Sequence, residues 1–130
     1  MTKGRLDSYI SMKEEIGELR DKLEHLAEET TENSVINDYR SGFPIPQSVV
    51  GVDEHRYWRL YKKYNAQIKE LERQCEEIED YVDNISDSMT RRIFRMIYIE
   101  GYTQKTVGEK LHTDRSNISK RINKFIKQNN

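Results

Sequence analysis

The sequence predicts an all-α protein: a long two-helix coiled-coil hairpin followed by a C-terminal three-helix helix-turn-helix domain. Three observations carry that expectation. Apolar residues recur at alternating gaps of three and four over two stretches, each about 25–30 residues long, which is the spacing of a helical seam. Charged and hydrophobic residues each make up 35% of the 130-residue chain, and mean hydropathy is −0.96. That apolar share is low for a globule, where about 45–50% is usual, but it suffices where apolar side chains fall on narrow seams. Two prolines and six glycines are few for a turn-rich all-β chain.

The first seam reads Tyr9, Ile16 and Leu23 at one position, with Met12, Leu19 and Leu26 three residues after each. Charged residues such as Glu14, Glu15, Glu18 and Lys22 lie between them and suit a solvated face. Gly17 is the one weak helix former. The spacing predicts a helix from about 6 to 30. The second seam follows Asp53, an N-cap residue type. It reads Tyr57, Tyr61, Tyr64, Ile68, Leu71, Cys75, Ile78, Val82 and Ile85, and predicts a helix over 54–84. Its first third is aromatic, with Trp58 beside three tyrosines. The two helices can pair within one chain or between chains. The expected seam core is Ile16, Leu19, Leu23, Leu26, Ile68, Leu71, Cys75, Ile78 and Val82.

Residues 31–53 join them. Pro44, Pro46 and the Ser41-Gly42 pair mark a loop, yet Val35, Ile36, Tyr39, Phe43, Ile45 and Val49 are apolar. A loop of that length and composition either folds back over the aromatic end of the second helix or offers a docking surface.

Residues 85–130 change character. Ser86, Asp87 and Ser88 are N-cap formers before a helix that places Met89, Ile93, Met96 and Ile97 at helical spacing. Gly101 is a C-terminal cap candidate. Thr103 caps a short helix from Gln104 to Leu111, and Asp114 caps a last helix from Arg115 to about Lys127. With Gln104 as the first position of a bihelical motif, Gly108 is small enough for a close crossing. Val107 and Leu111 face inward, Thr113 holds the turn's apolar position, and Ile118 and Ile122 give the last helix its buried face.

Charge separates the two parts. Residues 1–84 hold 12 Lys and Arg against 19 Asp and Glu, a net of −7; residues 85–130 hold 10 against 4, a net of +6. A basic end on an acidic body implies a polyanionic partner at that end only. The boundary between an 1–84 hairpin domain and an 85–130 domain is drawn here.

The stretch from Ile93 to Lys127 resembles region four of bacterial sigma factors and related sigma-like regulators, through Ile97-Tyr98, Gly101, Thr103, Gly108, Leu111, Arg115 and Ile118. The glycine usual after the first motif helix is His112 here, a residue that adopts a left-handed turn less easily than glycine. Sigma factors that read the upstream promoter hexamer carry Arg-Glu-x-x-Arg on the recognition helix. Arg115 matches, while Ser116 and Ser119 do not, which points to a different DNA site. Nothing in the chain corresponds to the sigma regions that bind core polymerase or melt DNA. The whole layout resembles small phage and prophage regulators, late-gene activators of the RinA and ArpU kind.

What this implies is a sequence-specific transcription regulator that reads the major groove of double-stranded DNA with the helix starting at Arg115. The expected DNA-binding residues are Thr103, Gln104, Arg115, Ser116, Asn117, Ser119, Lys120, Asn123 and Lys124. A homodimer is expected, because two-fold proteins bind two half-sites. RNA polymerase is a second candidate partner. Two other readings stand beside this one: a terminase small subunit-like packaging protein, and an interaction module whose tail binds polymerase rather than DNA. No apolar run approaches the ~18 residues of a membrane span, and the start lacks an apolar signal core, so no membrane partner and a cytoplasmic location are expected. One cysteine excludes an internal disulfide framework, and His25, His55 and His112 show no ligand spacing, so no metal or cofactor is expected. With no nucleophile–base pair and no phosphate loop, no catalytic residue is assigned and the chain is not expected to be an enzyme.

Overall fold

The computed structural model describes residues 1–31 and 53–129. Every element among them is helical, without a strand. The elements are α1 (Lys3–Asp7), α2 (Tyr9–Glu24), α3 (Leu26–Glu29), α4 (Glu54–Asp83), α5 (Ser88–Phe94) with a π-helical turn (Arg95–Ile99) continuing it, α6 (Gln104–Lys110) and α7 (Arg115–Gln128). The fold-back or docking role expected of the 31–53 loop falls on residues 32–52, outside the described residues.

The helix expected over 6–30 starts earlier and is interrupted twice. Thr2 caps α1 by accepting from the Arg5 N–H at 3.2 Å. The Ser8 hydroxyl donates to the Arg5 carbonyl at 2.6 Å, and the chain turns there before α2. At His25 the backbone leaves helical angles (φ −105, ψ 18), while the ring Nδ1 pairs with the Asp21 carbonyl at 2.9 Å. Polar side chains that bond nearby backbone compete with the helix ladder, and both interruptions sit at such a residue. The expected α4 is present almost to the residue, with Asp53 accepting from the Arg56 N–H at 3.0 Å.

The described chain forms two compact units. The first is Met1–Glu14 with Leu71–Asn130. Leu6, Tyr9 and Met12 are buried there, as are Cys75, Ile78, Val82 and Ile85 of the second seam. Tyr9 donates its hydroxyl to Glu79 at 2.6 Å, and Arg5 pairs with Glu77. These contacts join α1 and the start of α2 to the later half of α4. Leu71 is only half-buried, at the end of this unit's share of the seam. The boundary drawn at 84/85 lies inside this unit. Ile85 is buried, Arg91 donates to the Ile85 carbonyl at 2.7 Å, Arg95 pairs with Asp83, and Tyr81 meets the Phe125 ring edge-on at 6.3 Å. Charge changes sign at that point; packing does not stop.

The core of the C-terminal part consists of Ile93, Phe94, Tyr98, Val107, Ile118 and Ile122, each at most 3% exposed. Each such side chain removed from water contributes about 1.5–3 kcal/mol. Phe94 sits at its centre, 5.1 Å from Phe125 and 5.4 Å from Tyr98. The helix expected to run unbroken through 89–100 widens instead into the π turn, where the Glu100 N–H reaches the Arg95 carbonyl at 2.9 Å. Met89, expected on the apolar face, is 37% exposed.

The second unit is Glu15–Glu70. Ile16, Leu19 and Leu26 are buried, as are Tyr64 and Ile68; Leu23 is half-buried. Tyr64 donates to Glu29 at 3.2 Å. Among the described residues nothing closes the seam expected through Tyr57 and Tyr61: Tyr57 is half-buried and Tyr61 is 41% exposed. α3 ends at Glu29, beside Tyr64, and no described helix continues along the two tyrosines nearer the start of α4.

Candidate nucleic-acid interface

The surface formed by α6, the turn after it and α7 is built from local rules that begin at Gly101. Gly101 has φ +82, a conformation that disfavours side chains, and the Tyr102 N–H closes on the Met96 carbonyl at 2.9 Å. Thr103 then caps α6. Its hydroxyl oxygen accepts from the Thr106 N–H at 3.1 Å and donates its proton to the Thr106 hydroxyl at 2.9 Å. After Leu111 the chain reverses through His112, whose φ of 55 is the left-handed conformation usually held by glycine at this place. The Thr113 N–H returns to the Gly108 carbonyl at 2.9 Å. A Cβ on Gly108 would stand 2.8 Å from the Thr113 carbonyl oxygen. The close approach is therefore between helix and turn, and only glycine permits it.

α7 begins at Asp114. This residue holds the N-cap position, but its carboxylate accepts from the Ser116 hydroxyl at 2.8 Å and makes no capping bond to the helix. That hydroxyl holds the Asp114 carboxyl below the usual carboxylate range. Asn117 reaches back to the Thr113 hydroxyl at 3.4 Å. Thr113, expected to be an apolar turn position, is exposed and serves as this acceptor. Ile118 and Ile122 are buried and fix the helix's rotation.

With that rotation fixed at about 100° per residue, Ser116, Lys120, Asn123 and Lys127 project opposite the buried stripe. All four are exposed, as is Lys124 beside them. α7 carries five cations and no carboxylate. Arg121 is committed elsewhere, with its guanidinium 3.2 Å from the Asp87 carboxylate and 3.4 Å from the Thr90 hydroxyl. Asp87 is also the N-cap of α5, accepting from the Thr90 N–H at 3.0 Å and its hydroxyl at 2.7 Å. The Thr90 contacts, then Arg121, hold its carboxyl below the usual value. This pair ties α7 to α5 across 34 residues of sequence.

Lys120 and Lys124 line a groove of about 660 Å³ together with Asp87, Met89 and Gln128. On the turn side, Arg115 borders a second depression with Lys105, Glu109 and His112. Of the nine residues expected to contact DNA, Lys120, Asn123 and Lys124 stand free on the outward face. Arg115 is exposed at its edge, and Ser119 and Gln104 are half-buried. Thr103, Ser116 and Asn117 are exposed but already bond the cap and turn. The sequence reading missed Lys105, which the fold brings to the depression beside Arg115 although ten residues separate them. It also missed Lys110, whose ammonium sits 4.8 Å from the Tyr102 ring centre. No local signal marks Lys105; only the reversal of the chain at His112 reveals it.

Elsewhere, Asp21, Glu24 and His25 bring ligand atoms within 4.8 Å of one another, all exposed. Considering the histidines only against each other overlooked that helical spacing. The Asp21 carbonyl, then its carboxylate, raises the His25 pKa. The Cys75 thiol is buried and burial raises its pKa, as befits a small seam residue. No described helix is long and apolar enough to cross a membrane. No protein family, curated protein or solved structure matches the chain.

Proposed function

We propose that the chain is a sequence-specific DNA-binding transcription regulator of phage or prophage type. In this reading α2 and α4 form a coiled-coil hairpin, and α5, α6 and α7 form a sigma region four-like helix-turn-helix that reads the major groove. The observation that carries the proposal is α7 itself. It has five cations, no carboxylate, an outward face spaced with serine and asparagine, and a glycine-dependent turn that presents it. Lysine and arginine bond guanine acceptors, asparagine bonds adenine, and small hydroxyl residues leave room for base edges. Lys120, Asn123 and Arg115 are assigned to bases. Lys124, Lys127 and Lys105 are assigned to phosphates, which set position without reading sequence. A homodimer places two such helices in grooves one helical turn apart, about 34–36 Å.

Selection of bound duplexes from a random pool tests this. The expected result is an enriched two-fold motif bound about 10³-fold or more above random DNA. Salt-sensitive binding without an enriched motif would favour a packaging role. Absence of DNA binding would leave the tail as a protein-binding module, with polymerase as the partner to try.

A further inference from the structure

The start of α4 is a second cationic surface, separate from the proposed DNA reader and independent of it. Residues 54–64 hold Arg56, Arg59, Lys62 and Lys63 against Glu54 alone, a net of +3 inside a part of the chain whose net is −7. His55, Trp58, Arg59 and Lys62 fall at positions i, i+3, i+4 and i+7, one helix face, and together line a shallow depression. Trp58 is 54% exposed and Tyr61 41%. The indole is held between its neighbours, edge-on to Tyr57 at 5.1 Å and to Tyr61 at 5.3 Å. Among the described residues this large ring has no covering side chain on its outer side, and Trp, Tyr and Arg are the residues that dominate binding energy at protein interfaces.

We propose that this face docks a short acidic segment of a protein partner, with an apolar side chain covering Trp58 and carboxylates pairing with Arg59 and Lys62. Charge complementarity selects the acid, and the exposed rings select the apolar anchor. Size selects a peptide over a nucleic acid. From His55 to Lys62 the face spans about 10 Å at 1.5 Å per residue, room for a few peptide residues. Beyond it the same helix carries Lys69 and Arg73, but residues 65–84 together hold these two cations against seven carboxylates, a net of −5, which disfavours a longer polyanion.

Trp58 is the sole tryptophan, so its emission reports on this face directly. The test uses the full chain and three probes: a six-residue peptide Asp-Asp-Phe-Glu-Asp-Leu, the same peptide with serine for its two apolar residues, and a dT oligonucleotide. The first peptide is expected to blue-shift Trp58 emission saturably. The serine peptide, and the Arg59→Glu/Lys62→Glu variant with the first peptide, should each bind at least about tenfold more weakly, which is about 1.4 kcal/mol. Arg115→Ala should leave the peptide titration unchanged. Circular dichroism checks that the charge-reversed variant, altered only at exposed positions, keeps its helices. The proposal is overturned if the peptide causes no shift, if charge reversal leaves its affinity unchanged, or if the oligonucleotide binds more tightly than the peptide at this face.

Discussion

The outward face of α7 and the opening turns of α4 are both cationic, yet the residues between their charges differ. On α7 the spacers are serine and asparagine, and the opposite side of the helix is anchored by Ile118 and Ile122 in a closed core. On α4 the spacers are tryptophan and tyrosine, and the aromatic seam beside them is left partly open. On the two proposals made above, the contrast is one between two kinds of anion recognition. Small polar spacers let a helix approach base edges closely. Exposed rings instead demand an apolar counterpart that a phosphate backbone does not supply. Charge alone would have classed the two faces together; what stands between the charges distinguishes them.

The comparison breaks first at the anchor. Ile122→Ala removes a fully buried side chain of the C-terminal core and should cost about 2–5 kcal/mol. Thermal unfolding should show that loss while Trp58 emission stays at its wild-type position below the transition. A shift in emission would mean that the aromatic face depends on the same core. Gly108→Ala comes next. The added Cβ meets the Thr113 carbonyl at 2.8 Å, and overpacking of that kind costs about 1–3 kcal/mol. Denaturant melts should register it, and DNA affinity should fall while the peptide titration does not.

The smallest effect is electrostatic. The folded Asp87 carboxyl titrates below its ordinary value of 3.8. A carboxyl depressed in the folded state stabilises fully above its unfolded value, and that stability is lost as pH falls through the folded value. Melting temperature should therefore decline on acidification below about pH 4, and Asp87→Asn should flatten that part of the profile. An unchanged profile would mean that the Asp87 contacts with Thr90 and Arg121 contribute nothing to stability.

Much of this was legible in the sequence because it is local. Thr103 as a cap, Gly101 and His112 at positive φ, and Gly108 at the tight turn are decided by neighbours within about five residues, where turn chemistry dictates geometry. The seam from Ile68 to Ile85 was legible because a repeated period names the face that packs. The period does not name what covers that face, and Tyr61, on the expected seam, is exposed among the described residues. The Asp87–Arg121 pair escaped because it joins residues far apart in the chain. Of the residues expected at the candidate interface, Lys120, Asn123 and Lys124 stand exposed on α7. The sequence could not tell that Ser116 and Asn117 were committed to the turn or that Arg121 was committed to α5.

The most direct test of α7 as a DNA reader is affinity for the selected site and for random DNA, each at two salt concentrations, for the wild type, Lys120→Ala and Lys124→Ala. Lys120 stands at the centre of the outward face and is assigned to a base, so its loss should weaken the selected site by about 1–3 kcal/mol and random DNA far less. Lys124 is assigned to a phosphate, so its loss should weaken both alike and reduce the salt slope by about one unit. Equal losses on both DNAs for both variants would make α7 a non-specific phosphate binder, and no loss for either would place DNA binding away from α7 altogether.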